Sequence, residues 1–208
     1  MRKLLRISRN EDGVALIEFA MAVPLFLTLV LTGLELANLA LSHMRVSQMA
    51  MSVADNAGRV TAGIDEANIH EVFAGAEVIG EGLNFKPHGR MVLSSLEDNR
   101  QTNDARRGQT IRWQRCWGED RAVKPAYGKE GDGANNASLK DGLGSGARIT
   151  AATGTAVMFV EVEYKYQPLV STAFFDPPTI RYESAFNVRG RQNNALSNTQ
   201  GLTVYRCT

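Results

Sequence analysis

The sequence predicts an α+β fold: a long N-terminal helix, apolar enough in its first half to cross a membrane, packed on an antiparallel sheet of about four strands. Three observations predict it. From Val14 to Leu41 the only charges are Glu18 and Glu35. Beyond Leu41, apolar residues recur at spacings of three and four. Further on there are four strand candidates, two of which alternate between apolar and polar residues with the period of a strand.

The chain has 208 residues, 44% of them hydrophobic, which allows one membrane anchor and one folded domain. The formal net charge is +1, and the scattered Lys and Arg form no basic face, so no nucleic acid partner is expected. The expected organisation is a leader over 1–13, a transmembrane and extended helix over 14–60, and an exported α+β domain over 61–208 that carries a C-terminal β-hairpin and tail.

Arg2, Lys3, Arg6 and Arg9 precede the apolar run, while little more than Arg45 follows it. The positive-inside rule therefore keeps the N-terminus in the cytoplasm and exports the remainder through a single pass. As a helix, Glu18 to Glu35 rises about 25 Å, close to the roughly 30 Å hydrocarbon core, so each carboxylate can lie near one interface. Pro24 should bend this helix or loosen one turn. Two other readings stay open. A secretory signal could be cut near Ala40 and Ser42, although the apolar run is long for one and carries a carboxylate near its start. A plain, unprocessed anchor could carry a periplasmic binding or adhesive module.

Val46, Met49, Val53, Ala57 and Val60 continue the helical period, which predicts a helix of about 45 residues running out of the bilayer. A second helix starts at Asp65 as N-cap, with Ile69, Val72, Phe73 and Ala76 on one face until Gly80. The strand candidates are Gly89 to Leu96, Gln109 to Trp117, Ala156 to Tyr166 and Ile180 to Val188. In the third, Met158, Val160, Val162, Tyr164 and Tyr166 face one way, and Glu161, Glu163 and Lys165 the other. In the fourth, Ile180, Tyr182, Phe186 and Val188 face inward. Pro168, Pro177 and Pro178 confine the connection between these two strands to a loop. The two hairpins give a sheet with one apolar face for the helix to cover. Trp113 and Trp117 are expected beside Ile111 on that face. The Gly-, Asn- and Ser-rich stretch from Ala126 to Thr155 reads as a long exposed loop, with Gly142 to Ala147 as a flexible linker.

Catalytic, metal and cofactor chemistry is not expected. His43, His70 and His88 are scattered over different elements without a paired metal spacing. The run EGDGANN offers Glu130, Asp132, Asn135 and Asn136, but lacks the alternating ligands and terminal glutamate of a calcium loop. Nothing places the Ser, His and acidic residues as a nucleophile with its base.

The residues around Gly13 carry a resemblance. Basic leader, Glu11-Asp12, Gly13, the apolar Val14-Ala15-Leu16-Ile17, then Glu18-Phe19 and FAMAVPLFLTLVLTGLEL resemble the prepilin-type signal of type IV pilins, and in detail the TadE-like family of the tight-adherence pilus system. VEVEYKYQPL and the strand after it look more weakly like the C-terminal hairpin of that family. The resemblance implies a pilin-like fold and cleavage between Gly13 and Val14 by a prepilin peptidase. It further implies that Glu18, fifth in the mature chain, meets the free amine of Val14 on a neighbouring subunit, since a carboxylate at the edge of hydrocarbon is costly unless paired. Phe19 belongs to the same motif. Glu35 either marks the outer end of the span or adds to assembly. The partners implied are the peptidase, other pilins or pseudopilins with the pilus machinery, and the lipid bilayer of a bacterial inner membrane. Major pilins of this system are much smaller, so a chain of this size reads as a minor pilin or pseudopilin.

Cys116 and Cys207 are the only cysteines, and both lie in the exported part, where a disulfide can persist. Their pairing is expected because the tail from Gly190 to Gln200 is too polar to dock by burial alone, although Leu202, Val204 and Tyr205 could add a short edge strand. Two isolated thiols are the alternative.

Overall fold

A computed structural model describes residues 12–170, 176–191 and 193–207. Residues 1–11 of the expected leader lie outside the described residues. Helix α1 (Asp12–Arg59) continues through Pro24, although Pro24 has no N–H to donate to the Ala20 carbonyl one turn back. Its two halves have different surroundings. Residues 13–34 are almost entirely exposed, whereas from Glu35 onward one stripe is buried: Glu35, Ser42, Val46, Met49, Ala50, Val53, Ala54 and Ala57. The stripe recurs at helical spacing, and its alanines let the backbone approach the sheet closely. The helix end is held by the chain that follows the last long strand. Arg189 N–H donates to the Gly58 carbonyl at 3.0 Å, and the buried Arg191 guanidinium donates to the Ala57 and Val60 carbonyls, each at 3.3 Å. These are carbonyls that a helix C-terminus leaves without intrahelical partners.

After β1 (Ile64–Asp65) comes α2 (Glu66–Gly80). Asp65 caps it as expected: its carboxylate accepts from Ala67 N–H at 3.1 Å, and Asn68 accepts from Asp65 N–H at 3.1 Å. The Ser197 hydroxyl, then the Thr199 and Ala67 amides, donate to Asp65 and hold it down at about 2. A one-turn helix α3 (Phe85–His88) leads into the sheet of β2 (Gly89–Asp98), β3 (Gln109–Trp117), β4 (Ala156–Lys165) and β5 (Thr179–Asn187). The strand order is β3-β2-β4-β5, antiparallel throughout: two sequential hairpins joined by the β2–β4 pair. The α+β class, the long helix and the four strands all agree with the sequence reading.

The principal core lies between the helices and one sheet face, where Val46, Met49 and Val53 meet Met158, Val160, Val162, Tyr164 and Ile180, with Phe73, Phe85 and Trp117 stacked at one end. The expectation of a single apolar face is corrected. Leu96, Ile111, Val157 and Phe159 point to the opposite face and are buried beneath the long 126–155 segment by Leu143 and Ala151, with Tyr127, Leu139 and Ile149 at the margin. That segment is a loop with most of its residues exposed, as expected, but its inner side covers the sheet. Its glycines are what allow the close approach: at Gly133, with φ +79°, a Cβ would stand 2.0 Å from the Gln109 carbonyl oxygen. Nor is the 142–147 stretch a flexible linker. Leu143 and Ile149 exchange backbone hydrogen bonds of 3.0 and 2.8 Å across it, and Leu143 is fully buried.

A second correction concerns β3. The register passes from Ser95 opposite Trp113 to Leu96 opposite Ile111, so Arg112 is an extra residue, a β-bulge. A bulge reverses the alternation. Trp113 and Trp117 thus join the helix-side core, while Ile111 goes to the other face.

The tail docks by more than the expected cross-link. Leu196–Ser197 (β6) pairs in parallel with β1. Trp113 Nε1 donates to the Asn194 carbonyl at 3.0 Å, and Asn194 and Arg191 are buried and bonded to each other at 3.0 Å. The expected edge strand over 202–205 reduces to one ladder-like contact, Cys116 N–H to the Tyr205 carbonyl at 2.8 Å.

Candidate assembly surface

The first half of α1 presents the residues of the sequence motif. Gly13 and Glu18 are exposed, as are Leu16, Ile17, Phe19, Met21, Leu25, Phe26 and Leu29. An apolar surface on every side of a helix suits hydrocarbon or other helices, not water. The span has a mean hydropathy of 2.4, and none of its most apolar stretch is buried within the chain. Thr28 and Thr32 turn their hydroxyls back onto the Pro24 and Thr28 carbonyls at 2.7 Å, so these polar groups are satisfied inside the helix. The 21 residues from Val14 to Leu34 rise about 31 Å, matching the hydrocarbon thickness.

Glu35 differs from Glu18. It is the first buried position of α1, and its carboxylate is used within the chain. One oxygen accepts from the Tyr166 hydroxyl at 2.5 Å, and the other accepts from the backbone N–H groups of Leu169 and Val170, both at 3.0 Å. Asn38, one turn on, donates to the Tyr166 hydroxyl at 2.7 Å. Burial, and then the hydrogen bond to Glu35, push the Tyr166 phenol up to about 12. Glu35 thus fastens the start of the β4–β5 loop to the helix just where the exposed span ends. The sequence placed Tyr166 in the core by its alternation, but gave no signal for its partner, because the two are 131 positions apart.

The remaining candidates have structural surroundings. Cys116 and Cys207 lie at disulfide distance, with Cα atoms 4.9 Å apart. Glu130 accepts from Arg115 at 2.8 Å and from Gln114 N–H at 3.0 Å, so the EGDGANN run serves the β3 edge. His43 meets the Tyr182 hydroxyl at 3.3 Å, and His70 stacks on Tyr205 with ring centroids 4.4 Å apart. On the outer sheet face a cavity of about 320 Å³ is lined by Tyr127, Glu161, Glu163 and Glu183. Glu161 stands directly across from Glu183 in the β4–β5 register. Burial, offset in part by the Ala126 N–H, raises Glu161 to about 7.

Residues 13–55 match the family model of TadE-like protein. The match starts at Gly13, spans the exposed half of α1 and most of its packed stripe, and stops before the sheet. It bears out the resemblance read from the Gly13 to Phe19 motif, and the N-terminal segment is TadE-like. No curated protein and no solved structure matches the chain.

Proposed function

We propose, with the TadE-like N-terminal segment as premise, that this chain is a minor pilin or pseudopilin of a tight-adherence pilus and has no enzymatic activity of its own. A prepilin peptidase cuts between Gly13 and Val14, and the mature helix stays in the bacterial inner membrane with the sheet domain in the periplasm until it joins other pilins. The carrying observation is the all-round apolar exposure of residues 13–34, directly after the matched Gly13. Such a helix must end in lipid or among like helices. Glu18 is exposed on it, in reach of a neighbour and well away from the Glu35 network. Its pairing with the Val14 amine of the next subunit sets the register of addition.

Glu18→Ala tests this reading. Cleavage is expected to continue, while incorporation into pili and co-purification with partner pilins fall at least tenfold, as loss of a low-dielectric ion pair implies. Wild-type pilus numbers and recovery would remove the assembly role from Glu18.

A further inference from the structure

We propose that the start of the β4–β5 loop is a lipid-contact surface: Leu169 and Val170 lie in the outer headgroup and acyl boundary beside α1, so the exported domain rests on the bilayer in one fixed pose. This rests on the reading of residues 14–34 as the span, and adds that the folded domain itself touches lipid.

Three observations converge. Leu169 and Val170 are 67% and 40% exposed, although both are apolar and belong to a folded, hydrogen-bonded segment. Their backbone amides are bonded to Glu35, which fixes their height along α1 at the point where about 31 Å of apolar helix has just ended. They therefore continue the apolar surface of Leu31 and Leu34, which are 41% and 54% exposed. The backbone is also prepared for a place with little water: the amides of both residues are satisfied by Glu35, and Pro168 before them has none to satisfy. An unpaired amide at the edge of hydrocarbon would be costly.

The test uses the full oxidised chain in vesicles of phosphatidylethanolamine and phosphatidylglycerol, with an environment-sensitive fluorophore on a cysteine introduced by Leu169→Cys. Lipids brominated near the head of the acyl chain should quench this label and its emission should be blue-shifted, independently of the protein-to-lipid ratio. A label at Leu25 (L25C) should be quenched by lipids brominated deeper in the chain. One at Val78 (V78C), which is 73% exposed on α2, should not respond to either. If position 169 behaves like position 78 while position 25 is quenched, the span stands and the lipid contact is overturned. A blue shift at position 169 that grows with protein density without lipid quenching would mean that a second copy covers it, which also overturns the proposal. No quenching at position 25 would overturn the span reading and this inference with it.

Discussion

Replacing Cys116 and Cys207 together with alanine should lower the thermal midpoint of the sheet domain by about 10 °C or more, measured on the full chain in detergent. The pair closes a loop with a sequence separation of 91, and in the chain-entropy account such a cross-link stabilises by about 4 to 5 kcal/mol. A domain of this size loses roughly 2 to 4 °C per kcal/mol. The bond also anchors the segment around Tyr205 to β3. Tyr205 reaches the domain through the Cys116 N–H, its stack on His70 and its edge contact with Phe73 at 5.7 Å. Without the bond these contacts must hold a terminus that frays. An unchanged midpoint in the double variant would show that Arg191, Asn194 and β6 dock the tail by themselves.

Arg115→Ala should be the most damaging single substitution, costing about 3 to 5 kcal/mol, because it leaves a buried carboxylate without its counter-ion. Arg115 is on the helix side of β3. Its guanidinium meets Glu66 at 2.6 Å and Glu130 at 2.8 Å, and donates to the Gln114 carbonyl at 2.7 Å. Glu66 is 1% exposed. As the first residue of α2 its charge gains from the helix N-terminus, but that alone does not replace the guanidinium, whose Nε and Nη2 both meet Glu66 Oε1, at 2.7 and 2.6 Å. The double variant Glu66→Leu/Arg115→Met should behave differently. Removing both charges should recover most of the loss, since burying an ion pair costs nearly what its attraction returns. Chemical denaturation of the four members of the cycle decides this. A loss under about 1 kcal/mol for Arg115→Ala, the range of an exposed pair, would contradict the account.

Much of this architecture was legible in the sequence because local periodicity sets it. The stripe Val46, Met49, Val53 and Ala57 could only be a helix face, and Met158 to Tyr166 only a strand. Asp65 announced α2 by its capping chemistry. What stayed hidden depends on residues far apart in the chain. The bulge at Arg112 moves Ile111 to the opposite face, and strict alternation has no way to signal one inserted residue. The second core was hidden for a related reason: Leu139, Leu143 and Ile149 are isolated in a glycine-rich stretch, and only folding back over β3 and β4 makes them a layer. Composition likewise misled at the tail, since Arg191 and Asn194 look like surface residues until the end of α1 supplies carbonyls for the guanidinium.

The candidate site divides along the same line. Gly13, Glu18 and Phe19 are a contiguous motif on an exposed helix, so their arrangement was available from sequence alone. Glu35 was singled out as a charge at the end of the span, but its three partners come from the β4–β5 region. Both its oxygens are engaged within the chain, which makes it the clamp between span and domain.

The most direct test of the central claim is the intact mass of the chain extracted from membranes of cells that co-express a prepilin peptidase. The account predicts a mature protein beginning at Val14, and retention of the full length when Gly13 is replaced by a bulky residue. A chain that keeps Met1 beside an active peptidase, or one cut near Ser42, would contradict it.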